Sequence, residues 1–274
     1  MRLSVSNIAW DIADEGEVAA VLQVEGLRHV DLAPSKYFPD PATATASDAR
    51  RVRRWWSDRG FEIAGMQSLL FGVPNLNLFA DDGVMADRLA GICRLGGELG
   101  ARALTFGSPR QRDRTGLADD DARRIAVDFF RRVGDEAAKA GVVFCLEPNP
   151  VMYGCNFMVG TLEAADIVRA VAHPAVKLQL DVGAIAVNGE DASSTIAAVH
   201  DVIGHIHASE PGLVVLGDAG APHIEAGVAL RSLMPDAVVT IEMAMPTNEP
   251  HITALARAVR VARDAYLRWG AAPS

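Results

Sequence analysis

Four polar residues of metal-ligand type, each standing where a short apolar run ends, constrain this chain more than any other feature. VVFCLE runs into Glu147, VKLQLD into Asp181, GHIH into His207 and VVTIE into Glu242. The intervals are 34, 26 and 35 residues, each about one strand plus one helix. Candidate strands over 3–9, 27–33, 61–67, 102–106, 142–147, 176–181, 204–209 and 237–243 alternate with amphipathic stretches. One stretch, introduced by Ser47, carries Val52, Trp55 and Trp56 at helical spacing and stops at Gly60. The next sets Met85, Leu89 and Ile92 on one face and ends near Gly100. Another opens at Thr161 as an N-cap, and the last aligns Ile252, Leu255, Val259 and Tyr266. Caps, periodicity and terminal glycines agree in these segments.

Unbroken strand–helix repetition implies parallel strands joined by right-handed crossovers. Eight repeats predict an α/β fold: a single (β/α)8 TIM barrel, its parallel eight-stranded barrel ringed by outer helices, as one domain over 1–274. The length of 274 residues is close to the usual size of about 250 for such barrels. An open doubly wound sheet would want a glycine-rich phosphate loop after the first strand, and SNIAWDIADEGE offers none. No linker or low-complexity segment divides the chain, and the Ala-rich end from Gly270 to Ser274 reads as a frayed tail.

Strand C-termini of a parallel barrel open on one face, so the four residues are expected to converge at one mouth. Three carboxylates brought together repel one another, and a divalent cation resolves the conflict. One imidazole with three carboxylates is a mainly hard, oxygen-rich set, suited to Mn²⁺ first, with Mg²⁺, Co²⁺ or Zn²⁺ as alternatives. Such an ion keeps open positions for two adjacent oxygens of a sugar or hydroxy-ketone. His205 shares strand parity with His207 and is the rival ligand; His207 lies nearer the strand's C-terminal end.

Other residues are candidates for the mouth. Trp10 follows the first strand and reads either as an apolar wall or as packing beneath a loop. Gln67 closes the third strand and is placed to bond a substrate hydroxyl. Lys36, Arg110, Arg112 and Arg114 lie in loops after strands two and four, either to hold a phosphate or carboxylate or as solvated charges. Asn149, Tyr153 and Asn156 follow Glu147, and Ser209 and Glu210 follow His207, in position to contact substrate or ligands. His223 reads as a cap-region residue or a substrate contact. Met66, Met152, Met158, Met243 and Met245 fit a partly apolar pocket or gap-filling core.

The net charge of −9 repels phosphate backbones, so a small molecule rather than nucleic acid is the expected partner. No run approaches the roughly 20 apolar residues of a membrane span, and MRLSVSNIAW lacks the apolar core of a signal peptide. Cys93, Cys145 and Cys155 are odd in number without CxxC spacing, which reads as free thiols in a reducing compartment. A cytoplasmic protein is the expectation, and a homo-oligomer is compatible with it.

LEPNPVMYGCNF, LQLDVGA, HIHASEP and TIEM resemble the sugar phosphate isomerase/epimerase group of the xylose-isomerase-like barrels. SNIAWD, VDLAPSKYF and GMQSLLFG do so as well, so the likeness runs from about residue 3 to about residue 245. The resemblance implies that Glu147, Asp181, His207 and Glu242 are metal ligands. In the ketose epimerases the first and last glutamates also move the proton, one from each face of the substrate, and Glu147 and Glu242 match them. A metal-dependent isomerase or epimerase working through an enediolate is thus implied. A dehydratase on the same site, a noncatalytic sugar-binding barrel and metal-independent action are the alternatives. One position departs from the pattern. The family often has a histidine three residues after the aspartate, and Ala184 stands there. Its absence bears against ordinary free-sugar 3-epimerase activity. It also bears against the abasic-site endonucleases, whose extra histidines FEIAGMQS and ARALTFGS lack.

Overall fold

The computed structural model describes residues 1–81 and 83–268; the expected frayed tail lies outside them. Strand β1 (Arg2–Ser6) leads to α1 (Glu15–Val24), β2 (His29–Leu32) to α2 (Ala46–Ser57), and β3 (Glu62–Met66) to α3 (Val84–Leu99). Then β4 (Ala103–Phe106) leads to α4 (Asp119–Ala140) and β5 (Val143–Leu146) to α5 (Thr161–Val171). Strand β6 (Val176–Asp181) leads to two helices, α6 (Val182–Asn188) and α7 (Ala192–Val199), where one was expected. Last come β7 (Ile203–Ser209), α8 (His223–Leu233), β8 (Val238–Glu242) and α9 (His251–Ala262). The strands pair in chain order, all parallel, and β8 closes on β1. The protein is a TIM barrel.

Local chemistry moves several boundaries from their expected places. The first strand stops at Ser6 rather than residue 9, because Ser6 Oγ accepts the Ile8 amide at 3.4 Å and Asn7–Ala9 coils into a 3-10 turn. Thr45, not Ser47, caps α2: its Oγ1 accepts the Asp48 amide at 3.2 Å. Thr161 is the first residue of α5 rather than its N-cap; Gly160 takes the cap position, and Glu190 Oε1 accepts the Thr161 amide at 3.0 Å. Gly100 ends α3 as expected, at φ 77°.

Strand parity divides the core in two. One parity faces the helices: Val5 pairs with Val30 and Ile241, Val30 with Ile63, and Leu104 with Phe144, and these are buried apolar residues. Against them α4 packs Phe130, with ring centroids 5.6 Å from Phe106 and 5.5 Å from Phe129. The other parity fills the barrel with small and polar side chains. Ser4 pairs with His29 and Thr240, Asp31 with Gly65, and Gln179 with His205. Asp181 pairs with His207, and Ser209 with Glu242. Much of this interior is paired from within; Thr105 Oγ1, for example, donates to Gln179 Oε1 at 3.1 Å. Cys93, Cys145 and Cys155 are buried free thiols. Among the described residues no helix is long and apolar enough to cross a membrane.

Because Phe130 is fully buried at the centre of the outer aromatic cluster, Phe130→Ala leaves a cavity there. It is expected to cost about 3–5 kcal/mol, read as a lowered midpoint in urea unfolding.

Candidate metal centre

Four strand ends bring Glu147, Asp181, His207 and Glu242 together, with one ligand atom from each within 4.8 Å of the others. His207 Nδ1 lies 3.3 Å from Glu242 Oε2 and 3.7 Å from Glu147 Oε1. The His207 ring is fully buried, yet both its nitrogens lack a hydrogen-bond partner among the described residues. A buried imidazole with orphaned nitrogens facing carboxylate oxygens has the chemistry of a metal ligand, so these residues fit a divalent ion.

Each carboxylate is anchored through an oxygen by a protein donor. Asn149 Nδ2 donates to Glu147 Oε2 at 3.1 Å, and Gln67 Nε2 to Glu242 Oε1 at 2.6 Å. Asp181 Oδ1 accepts the Ala184 amide at 2.5 Å and so caps α6, while its Oδ2 accepts Ser209 Oγ at 2.8 Å. The anchored oxygens leave Glu147 Oε1 and Glu242 Oε2 facing His207. Room for Glu147 depends on Gly107, where a Cβ would lie 2.2 Å from Glu147 Oε2.

Electrostatics follow from the crowding. Burial, with the charges of Glu147 and Glu242 added, pushes the Asp181 carboxyl up to about 7. Burial opposes protonation of His207, but Glu242, Asp31 and Glu147 outweigh it and hold the imidazole well above its ordinary range. The cation-free cluster therefore lowers its own repulsion with protons.

The sequence-derived candidates sort by what they touch. Gln67, Asn149 and Ser209 bond Glu242, Glu147 and Asp181 directly. Arg112 is not an open loop cation, because it is fully buried. Its guanidinium donates to the Glu147 carbonyl and to Asn149 Oδ1, both at 2.8 Å, and to Cys155 Sγ at 3.1 Å. Trp10 is 1% exposed and part of the buried core, its carbonyl accepting Lys36 Nζ. Tyr153, at 36% exposure, accepts the Gly212 amide at 2.9 Å and ties the loop after β5 to the loop after β7. Arg114 and Asn156 brace each other, whereas Arg110 is exposed. Glu210 and His223 are buried and paired at 3.3 Å, with His223 Nδ1 2.7 Å from Tyr266 Oη. Met66, Met158 and Met243 are core, while Met152 and Met245 are exposed.

His205 turns away from the cluster, its Nε2 2.5 Å from Asp31 Oδ2. Asp31 itself is fully buried and was not among the sequence-derived candidates. Its one signal was a lone acid inside the apolar run HVDLA.

A family model described as xylose isomerase-like TIM barrel matches residues 19–251. The D-psicose 3-epimerase of Ruminiclostridium cellulolyticum is 30% identical over 118 residues, 43% of this chain. That match spans 40% of the relative's own length. The solved structure of a D-psicose 3-epimerase with D-tagatose, from Clostridium cellulolyticum H10, is similar with TM-score 0.75 and 19% identity. It covers 97% of this chain and 96% of the other. The IOLI protein with a binding zinc atom gives TM-score 0.73 and 15% identity, over 98% and 100%. At such identities the structural likeness speaks for the fold.

The raised Asp181 carboxyl sets the sign of a pH effect. Folded, cation-free protein keeps that proton up to about pH 7, and a divalent ion must displace it. Calorimetric titration with Mn²⁺ is expected to show proton release, and affinity that weakens by about tenfold per pH unit below 7 for each proton displaced. Affinity unchanged between pH 5.5 and 7 would contradict the assignment of Asp181.

Proposed function

The chain belongs to the xylose isomerase-like TIM barrel family, and from that premise we propose that it is a divalent-metal-dependent isomerase or epimerase of a small sugar or sugar phosphate. Glu147 and Glu242 are its proton-transfer residues. One observation carries this reading. Two glutamates from different strands are each clamped through one oxygen by an amide, Asn149 or Gln67, and each keeps the other oxygen turned toward His207. A carboxylate so fixed serves as a positioned acid or base rather than as a mobile charge.

Glu147, Asp181, His207 and Glu242 would hold the ion. The oxygen-rich donor set favours Mn²⁺, with Mg²⁺, Co²⁺ or Zn²⁺ as alternatives, and the zinc-bearing neighbour supports a divalent ion in this fold. When bound, the ion supplies Lewis-acid polarisation of a substrate carbonyl. One glutamate then takes the proton from the carbon beside that carbonyl, and the electron pair passes into an enediolate. The other glutamate returns a proton from the opposite face, which inverts the centre without change of formula. Where the carbonyl is on the second carbon and the proton is taken from the first, delivery to the former carbonyl carbon, with the hydroxyl proton passing from the first oxygen to the second, gives the aldose–ketose isomer.

Gln67 adds a substrate contact. Its Oε1 is buried with no partner among the described residues and is an open acceptor for a sugar hydroxyl. Asn149 and Ser209 act through the carboxylates they hold, and Arg112 through Asn149 and the Glu147 backbone, while Tyr153 belongs to the rim. The relative named as a D-psicose 3-epimerase and the neighbour with D-tagatose support a ketose-like substrate. The apolar Ala184 argues for extending the search to ketose phosphates and keto-polyols.

In heavy water, a screen of ketoses, their phosphates and keto-polyols is expected to show deuterium entering a product of unchanged formula, read by mass spectrometry. A product lighter by water would replace the proposal with dehydratase chemistry. With the substrate found, Glu242→Gln is expected to lower turnover by about 10²–10⁴-fold with the circular dichroism spectrum unchanged. Full activity in the folded variant would remove Glu242 from the proton-transfer pair.

A further inference from the structure

Asp31 has no part in the reaction just described, yet it is fully buried on the interior parity of the barrel, against both histidines of β7. Its Oδ2 lies 2.5 Å from His205 Nε2 and 3.5 Å from His207 Nε2. Its Oδ1 accepts Ser4 Oγ at 3.3 Å. Thr240 Oγ1 lies 3.4 Å from His205 Nε2, and the two imidazole rings meet edge to face at 78°. A register shift between Val30 and Asp31 sets Asp31 opposite Gly65. A Cβ at Gly65 would stand 2.7 Å from Asp31 Oδ2 and 3.0 Å from His205 Nε2. The third strand therefore leaves the space that this pair occupies.

An imidazole offers a lone pair through one nitrogen only when the other carries the proton. For His207 the two nitrogens face different surroundings. Nδ1 points to Glu242 and Glu147, while Nε2 points to Asp31. A carboxylate behind a ligating histidine fixes its tautomer and ring plane and raises its basicity.

We infer that Asp31 is a positioning residue for His207, holding the Nε2 proton so that Nδ1 presents its lone pair to the cation, while His205, Ser4 and the bare Gly65 backbone hold Asp31 in place. The inference rests on the reading of His207 as a metal ligand. Asp31, His205 and His207 also bring ligand atoms within 4.8 Å of one another, but they do not form a second metal site. His205 and Asp31 are already in direct contact, closer than two atoms each about 2.0–2.2 Å from a shared ion normally approach.

The test uses the full-length protein with ¹⁵N-labelled histidines, with and without Zn²⁺. The wild type is expected to show a slowly exchanging His207 Nε2–H, buried and facing the Asp31 carboxylate at ion-pair distance, and Zn²⁺ is expected to shift Nδ1. Asp31→Leu keeps roughly the volume of the side chain and removes every acceptor from it. The slowly exchanging Nε2–H signal should vanish and Zn²⁺ affinity fall by about 10- to 100-fold, with circular dichroism unchanged. Gly65→Ala sets its Cβ against Asp31 and His205 and displaces Asp31; a smaller loss of affinity is expected, and this variant decides the matter if Asp31→Leu does not fold. A wild-type His207 protonated only at Nδ1 would overturn the inference, as would wild-type affinity in the folded variants or two zinc ions per chain. A wild type with the Nε2–H signal but no zinc uptake supports the orientation by Asp31 and rejects the metal-centre reading, so the two failures are read separately.

Discussion

Mutual repulsion of three carboxylates around one imidazole is the constraint on which the rest of the site depends. Glu147, Asp181 and Glu242 each arrive on a separate strand, so only closure of the barrel brings them within reach of one another. Left to themselves they would swing apart or bind protons, and burial beside Glu147 and Glu242 pushes the Asp181 carboxyl toward the second response. The first is blocked by anchors. Asn149, Gln67, Ser209 and the Ala184 amide each hold a carboxylate oxygen, and Arg112 holds Asn149 in turn. The cluster is therefore held in one geometry by the protein itself, the preorganisation that the proposed chemistry calls for.

The barrel and its cluster of four polar strand ends were legible because both are written at strand spacing. Apolar runs ending in Glu147, Asp181, His207 and Glu242 need no knowledge of tertiary contacts to be recognised. Arg112 shows where legibility ends. In sequence it sits among Arg110 and Arg114 in a polar loop, indistinguishable from a solvated charge, and only the fold shows that it is buried against Glu147 and Asn149. Asp31 was hidden for a related reason. Strand periodicity says that an interior position is filled, but not that its neighbours across the barrel are two histidines and a glycine. Thr45 and Thr161 show the same limit on a smaller scale, since several hydroxyl residues near a helix start compete for the cap and backbone geometry chooses between them.

The loops add a second layer of order around the mouth. Tyr153 joins the loops after β5 and β7. Lys36 joins the loops after β1 and β2 through the carbonyls of Asn7 and Trp10, and Glu210 gathers the backbone of its own loop at Gly217 and Ala221. These bonds tie the loops to one another and to themselves, and they engage the polar groups of Tyr153, Lys36 and Glu210 within the protein.

Strand parity has a consequence for how such a chain changes over generations. Adjacent residues such as Ile206 and His207, or Ile241 and Glu242, lie one peptide bond apart but on opposite sides of the sheet, in separate packing environments. A substitution on the helix side bears on thermal tolerance with little disturbance of the mouth, and one on the inner side bears on the lining of the mouth with little disturbance of the helical shell. Selection can therefore act on durability and on the character of the mouth as nearly independent traits of one sequence. That separability gives a physical reason for such a scaffold to be relined without first being rebuilt.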